Sequence, residues 1–362
     1  MELVQKSVFR KIITVLVVIF VVLGGIEFAA KKFTGITNEF LGIFMLGFFL
    51  AMTCALLFFQ IHRPLAQVFQ EMKALLTNRP YKKIFTQRID EIGVLAHFFN
   101  NVTKNIEKIS VDIAEGKRMH KELSVGSDIQ RRIIPKIMPQ IPGISLFGNM
   151  RPASEIGGDS FDVIQTPQGN TYIYVGDVTG HGVPAALIMM MVNTIIRTFS
   201  ETYSSGYDLI VNTNRVLKQR IEPRRFMTCV LLRWNPQEQK LYYTGAGHEH
   251  IIIFRKKQRV CEVRQTGGIA LGMVPDISKI VKEEGISLET GDMVVLYSDG
   301  IIEAKNMTGE MFGLPRLKAA VEQYGATAAP EELFTNISKD FGIFVGDQIQ
   351  EDDITLIVLQ KT

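Results

Sequence analysis

The chain opens on two long apolar runs. Ile12–Ala30 (IITVLVVIFVVLGGIEFAA) is interrupted only by Glu27, and Phe40–Ile61 (FLGIFMLGFFLAMTCALLFFQI) carries no charge. Each run is about 20 residues, the length with which a helix crosses a bilayer core. The pattern predicts a transmembrane helical hairpin over residues 1–63, with spans at about 12–30 and 40–61. A cleaved signal peptide is disfavoured for the first run, because no small-residue cleavage site stands out and a second span follows at once. The loop between them, KKFTGITNE, is too short to fold into a ligand-binding domain. Lys6, Arg10 and Lys11 precede the first span and His62 and Arg63 follow the second, while Lys31 and Lys32 in the loop weaken the charge asymmetry. Both ends are expected inside, because everything that carries chemistry follows the second span. The expected location is an inner or plasma membrane, multi-pass, with the catalytic part cytoplasmic.

From Pro64 the pattern becomes amphipathic. Leu65, Val68, Met72 and Leu75 fall at three- and four-residue spacings. After the connector TNRPYKKIF, a second stripe runs through Ile92, Leu95, Phe99, Val102, Ile106, Ile109 and Ile113, with Asp90 placed as an N-cap. Two such helices directly after a membrane span, with Pro64 at the start and DEIG at 90–93, resemble a HAMP linker over residues 64–113. HAMP units are parallel dimers, so the resemblance implies a homodimer. A plain amphipathic hairpin is the alternative. The stripe fades at Gly116 and His120, and a further helix, KELSVGSDIQRRIIP, ends near Pro135. Residues 114–142 therefore read as a helical connector, closed by the boundary signal of Pro139 and Pro142.

The remaining residues, 143–362, suffice for one mixed α and β domain with a sizeable core. Strand-like runs are TYIYVGDV, RFMTCVLLRW, KLYYTGAG, HIIIFRK, DMVVLYSDG and DITLIVLQ; helix-like runs are 184–199, 209–221, 315–323 and 330–341. The strands come in antiparallel-looking pairs separated by turns such as NPQEQ, and strict strand–helix alternation is missing, which argues against a doubly wound parallel sheet. Charge narrows the chemistry. A net charge of +3 without a basic stripe gives no support for nucleic-acid binding. The three cysteines, Cys54, Cys229 and Cys261, are far apart and suggest neither a zinc site nor a disulfide framework.

Aspartates recur at strand ends. Asp159 precedes an apolar strand in IGGDSFD, Asp177 closes YIYVGD, Asp299 closes VVLYSD, and Asp352 and Asp353 open DITLIVL. A single Asp at a strand end is ordinarily a turn or cap residue. If these strands are neighbours, however, their ends gather four or more carboxylates at one rim. Unpaired, such groups repel and raise one another's pKa, a conflict that divalent cations remove. An all-oxygen site suits Mg²⁺ or Mn²⁺ rather than zinc. The stretch GDVTGHGVPAAL (176–187) lacks the Lys-Ser/Thr of a P-loop, and no GxSxG elbow is present. Its best role is metal binding, with Asp177 bridging two ions and the Val178 carbonyl adding a ligand.

In this order along the chain, RPASEIGGDSFDV, GDVTGHGVPAAL, TGAGHEHIIIF, GGIALGM, VVLYSDGIIEAKN, MFG and DDITLIVL resemble the motifs of the metal-dependent PPM (protein phosphatase 2C-like) serine/threonine phosphatases, and most closely their SpoIIE/RsbU-type branch. The resemblance spans nearly all of residues 143–360. It implies an α+β fold, an α-β-β-α sandwich of two packed antiparallel sheets flanked by helices, with two metal ions at one end. It implies Asp177 as the ligand shared by both ions, Asp299 and Asp352 as completing one site, and Asp159 as holding a water of the metal shell. Asp353 is the alternative to Asp352, because the doublet leaves the register open. Asp159 and Asp177 are thereby the expected catalytic residues.

Two further residues are candidates for substrate binding. Arg151 could fork onto phosphate oxygens. His181 stands between glycines beside Asp177, although a role in supporting the loop is the plainer reading. His248 in GAGHEH reads as structural or rim, and the run LIMMMV as helix core. The expected activity is hydrolysis of phospho-Ser/Thr in a regulatory protein, regulated through the HAMP-like linker. The resembled branch often acts on small anti-sigma-factor antagonists of the STAS type. A catalytically inactive membrane-tethered scaffold and a small-molecule phosphohydrolase are the alternatives; the intact aspartate set argues against the scaffold.

Overall fold

The computed structural model describes residues 7–34, 39–135 and 137–362. Lys6 and positions 35–38 of the predicted loop lie outside the described residues. The chain divides into two compact units, Met1–Lys117 and Arg118–Thr362.

The first unit holds α1 (Val8–Thr34), α2 (Glu39–Leu57), α3 (Arg63–Leu76) and the first part of α4 (Glu91–Ile133). Windows Val8–Ala29 and Gly42–Leu76 are long and apolar enough to cross a membrane. Their side chains stay largely uncovered, with Phe20 at 69% and Phe44 at 70% exposure. The helix continues through Pro64, where the pattern becomes amphipathic. A single π-turn at Phe58–His62 joins α2 to α3, with the Arg63 N–H donating to the Phe58 carbonyl. The turn lies just ahead of a proline, which has no N–H for the carbonyl four residues back. That carbonyl, on Gln60, instead accepts Arg88 Nη2 at 2.9 Å.

Asp90 caps α4. Its Oδ1 accepts the Gly93 N–H at 3.1 Å, and its carboxylate also takes Arg88 Nε at 2.9 Å. Glu91 Oε2 accepts the N–H of Val8 at 2.9 Å. Beneath these caps, Val68, Ile84, Ile92, Ala96 and Phe99 bury together with Val8 and Ile12. Residues 91–133 form one unbroken 43-residue helix, where the fading stripe suggests two. Gly116 sits in open space and costs the helix only about 1 kcal/mol, too little to end it.

The second unit is a four-layer sandwich. One sheet has the order β1-β10-β9-β6-β7, the other β2-β3-β4-β5-β8, and every pairing is antiparallel. The strands are β1 (Ile144–Arg151), β2 (Ser160–Gln165), β3 (Thr171–Val178), β4 (Met227–Asn235), β5 (Lys240–Ala246), β6 (His250–Arg255), β7 (Val260–Gln265), β8 (Glu283–Ile286), β9 (Met293–Tyr297) and β10 (Ile354–Lys361). Helices α5 (Val183–Ser200) and α6 (Gly206–Lys218) cover the second sheet; α8 (Gly313–Tyr324) and α9 (Pro330–Val345) cover the first, and a one-turn α7 (Asp299–Ile302) follows β9.

Alternation along the strands explains the layers. Ile173, Val175, Val230 and Leu232 face Ile253, Val294, Leu296 and Ile357 in the core between the sheets. Their neighbours Tyr172, Tyr174 and Leu231 point the other way, onto α5 and α6. Ile252, Val295 and Val358 likewise meet α8 and α9. Each such fully buried aliphatic side chain contributes roughly 1.5–3 kcal/mol. The apolar run at Val183–Ser200 also meets the length and composition of a span, but 44% of it is buried, and it packs as α5 in this core. The methionine run thus serves the core, as its pattern suggests.

Candidate active site at the end of the sandwich

Four strand ends meet at one end of the two sheets. β3 ends in Asp177 and Val178. Asp159 lies just ahead of β2, which pairs with β3 so that Ser160 stands opposite Gly176. In the other sheet β9 runs into Ser298 and Asp299, and the adjacent β10 begins two residues after Asp352. Antiparallel pairing of Leu356 with Tyr297 brings these last two ends side by side. Two antiparallel sheets, stacked face to face, therefore gather the carboxylates that the sequence spreads over nearly two hundred positions.

Their electrostatics record the crowding. Asp177 is pushed up to about 8, by burial first and then by the charges of Asp299, Asp352 and Asp353. Asp299 rises to about 6, through burial, Asp352 and Glu303. Asp159, 1% exposed, is held well above the usual carboxylate range by burial and by Asp177. Among the described residues, no Lys, Arg or His forms an ion pair with Asp159, Asp177, Asp299 or Asp352. Nor, among them, do three His, Cys, Asp or Glu side chains close on one point as a ready metal cage. An all-oxygen donor set left without protein cations is chemistry that fits divalent metal ions.

The two members of the Asp352–Asp353 doublet differ sharply. Asp353 is 7% exposed, and its carboxylate is filled by three backbone N–H donors: Ala153 at 2.7 Å, Gly158 at 2.6 Å and Asp159 at 3.1 Å. Asp352 is exposed, and its Oδ1 accepts only the N–H of Asp353, at 2.8 Å. Asp352 is thus the member with free oxygens at the rim. Thr355, two positions after Asp353, donates Oγ1 to Asp159 Oδ2 at 2.5 Å and ties the two sheets together at the site.

Glycines make the close approach possible. A Cβ on Gly300 would overlap the Asp353 carbonyl oxygen, and one on Gly158 would stand 3.1 Å from the Val178 carbonyl oxygen.

Arg151 ends β1 opposite Ile354, exposed, on the same side as Asp352. Among the described residues its guanidinium has no carboxylate partner. His181 is exposed in the loop between β3 and α5 and, among the described residues, makes no side-chain hydrogen bond. His248 is buried and donates Nε2–H to the Tyr297 carbonyl at 2.8 Å, two residues before Asp299, which agrees with a structural reading.

Sequence reasoning missed three supports: Asp353 as a clamp, Thr355 on Asp159, and Gln130. Gln130 of α4 is 3% exposed. Its Oε1 accepts the Gly157 N–H at 3.1 Å, and its Nε2 donates to the Gly157 carbonyl at 2.8 Å. No local signal marks these roles, because each partner is distant in sequence.

The family model described as Stage II sporulation protein E (SpoIIE) matches residues 167–362. The phosphoserine phosphatase RsbU of Bacillus subtilis (strain 168) is 28% identical over 245 residues, covering 68% of this chain and 71% of RsbU. The chain covers 47% of a second relative, protein IcfG of Synechocystis, at 25% identity. Among solved structures, the SiaA-PP2C domain of Pseudomonas aeruginosa superposes with a TM-score of 0.59 at 22% identity, over 68% of this chain and 98% of that one. At that identity the likeness is one of fold.

Proposed function

We propose, from the premise that this chain belongs to the SpoIIE family of PP2C-type serine/threonine phosphatases, that it is a membrane-anchored, metal-dependent phosphatase acting on phospho-Ser/Thr of a regulatory protein. The observation that carries this reading is the set of four carboxylates at one end of the sandwich, unpaired by any Lys, Arg or His among the described residues.

Asp177, Asp299, Asp352 and the Val178 carbonyl would hold two divalent ions, Mn²⁺ or Mg²⁺, with Asp159 beside them. When bound, such ions supply an acidified water and positive charge for the phosphoryl oxygens. The chain's own residues do the rest. Thr355 donates to Asp159 and fixes its carboxylate, while Ser298 donates to the Asp353 carbonyl beside it. Asp353 anchors the loop that carries Asp159, and Gln130 fixes Gly157 in the same loop. Arg151 would orient the phosphate through its guanidinium fork, with His181 as a weaker substrate contact. No protein nucleophile is required. Cys229 and Cys261 are buried, with thiols pushed up to about 12 chiefly by that burial.

The partner is a phosphorylated regulatory protein of the kind on which the RsbU branch acts, with a STAS-type antagonist as the specific expectation. Residues 1–63 are the membrane hairpin, supported by two uncovered apolar helices. Residues 64–113 are a HAMP-like, dimer-forming linker, supported by the Asp90 cap and the Glu91 bond to Val8. Residues 114–142 connect it to the catalytic domain at 143–362. Regulation passes through the connector to the loop ahead of Asp159.

The test is phosphate release from an aryl phosphate by the full chain in detergent, with and without Mn²⁺, beside Asp177→Asn. Metal-dependent turnover that the variant lacks supports the reading. Equal rates with and without metal would overturn it.

A further inference from the structure

Beside the carboxylate rim lies a groove of about 480 Å³. That is within the range of sites that bind small ligands or side chains. One wall is the face of α9 that carries Phe334, Ile337, Phe341 and Val345, and the floor is formed by Ile354 and Leu356. These α9 residues recur at helical spacing, yet Phe334, Phe341 and Val345 are only half-buried. The helix thus leaves part of its apolar stripe uncovered. At the groove's edge Ile349 is 87% exposed and Met311 50% exposed. Solvent-facing apolar side chains gathered round a concave site mark a binding surface rather than scattered surface apolarity.

The mouth of the groove points to its occupant. Gly300 and Asp352 line both the groove and the carboxylate site. Arg151 and Lys305 stand at the same mouth, and Lys305 is held at 3.4 Å by Glu351. A ligand that fills both places carries a phosphate at one point and an apolar group a short way along the same chain. We infer that the groove receives an apolar side chain flanking the phosphorylated residue of the protein substrate, and so sets sequence preference. This inference rests on the phosphatase reading and deepens it.

Gly342 provides a direct test. It is exposed, it lies on the groove side of α9, and a Cβ built there meets nothing within 4 Å. Gly342→Leu therefore obstructs the groove without an internal clash, and it replaces a poor helix former with a good one. The probes are fluorescent phosphoserine peptides in a Gly/Ser background, with Leu placed in turn at each of the three positions on either side of the phosphoserine. Binding to the full chain in detergent is read by anisotropy in EDTA. Turnover of the same peptides and of an aryl phosphate is read with Mn²⁺.

Because the Leu-to-Ser ratio is taken within each protein, the fraction of active molecules cancels. The expected result is a preference of about tenfold or more for Leu at one flanking position, the size that burial of one Leu side chain gives. In Gly342→Leu that ratio falls towards one, and in Ile349→Ser it falls part of the way. Turnover without any Leu preference, or with a preference that Gly342→Leu leaves intact, overturns the groove and spares the phosphatase reading. A preference in binding without turnover of any probe does the opposite.

Discussion

Asp353 and Gly158 lie 195 residues apart, yet the Asp353 carboxylate accepts the Gly158 N–H at 2.6 Å. With the Ala153 and Asp159 donors on the same carboxylate, this contact fixes the start of β10 to the loop that delivers Asp159. Asp352, one residue earlier, has no such duty. Like substitutions should therefore have unlike effects. Asp353→Ala strands buried N–H groups and should destabilise the catalytic unit by about 3 kcal/mol. Asp352→Ala should change stability by less than about 1 kcal/mol and instead remove metal-dependent turnover. Thermal unfolding beside a turnover assay checks both; equal losses of stability would refute the division of roles.

Crowded carboxylates make a second contrast. In chelator, the negative charge of Asp177 is opposed by burial and by Asp299 and Asp352. Asp177→Asn removes that conflict, so the melting temperature in EDTA should rise. The same change should lower Mn²⁺-dependent turnover by about a thousandfold. Mn²⁺ should raise the melting temperature of the unaltered chain and leave the variant nearly unmoved. A variant that melts lower in EDTA would contradict the electrostatic account.

Six of the ten strands are legible in the sequence, because each is an apolar run bounded by turn residues. β2 is legible only as an apolar strand that follows Asp159, without bounds, since Asp162 sits fully buried in its middle. Its charge is met by Arg197 of α5 at 2.7 Å and by Asn193 at 3.0 Å, partners that no local window contains. β8 is a four-residue, mostly polar edge strand, and β1 is an edge strand of mixed burial; neither has a clean period. The strand-end aspartates were legible as a set. Which of Asp352 and Asp353 keeps free carboxylate oxygens was not, because that is decided by backbone donors from the far end of the domain.

Arg151 offers a kinetic signature. Its guanidinium is exposed and without a carboxylate partner among the described residues, so its removal should leave the fold intact. Arg151→Ala should raise KM for phosphorylated substrates by about tenfold, and Arg151→Lys should recover only part of the loss, because an ammonium lacks the fork. A fall in kcat with unchanged KM would place Arg151 outside phosphate binding.

His248 sets a pH dependence. Burial lowers its pKa from 6.5 to about 4, and the charge of His250 adds to this, while the Tyr297 carbonyl opposes it. Thr228 Oγ1, on the strand opposite Asp177, lies 3.5 Å from Nδ1. The folded chain keeps the ring neutral where the unfolded chain has already taken up a proton. This stability is fully present above about pH 6.5 and is lost as pH falls towards 4, by on the order of 3 kcal/mol. His248→Gln should flatten the melting temperature against pH in that window, and an unchanged slope would exclude His248 as its source.

Gln130 is one point at which the connector helix grips the loop ahead of Asp159. Its amide satisfies both the N–H and the carbonyl of Gly157, two residues before Asp159. Gln130→Ala should leave that buried pair without partners and destabilise the unit by about 2 kcal/mol. Looser placement of Asp159 should also lower kcat by about ten- to a hundredfold. Gln130→Glu, which can still accept from the N–H but cannot donate to the carbonyl when ionised, should fall between. The decisive reading is turnover measured well below the melting temperature of each variant. There a purely structural glutamine would leave kcat unchanged, whereas a positioning one lowers it in the order Gln, Glu, Ala.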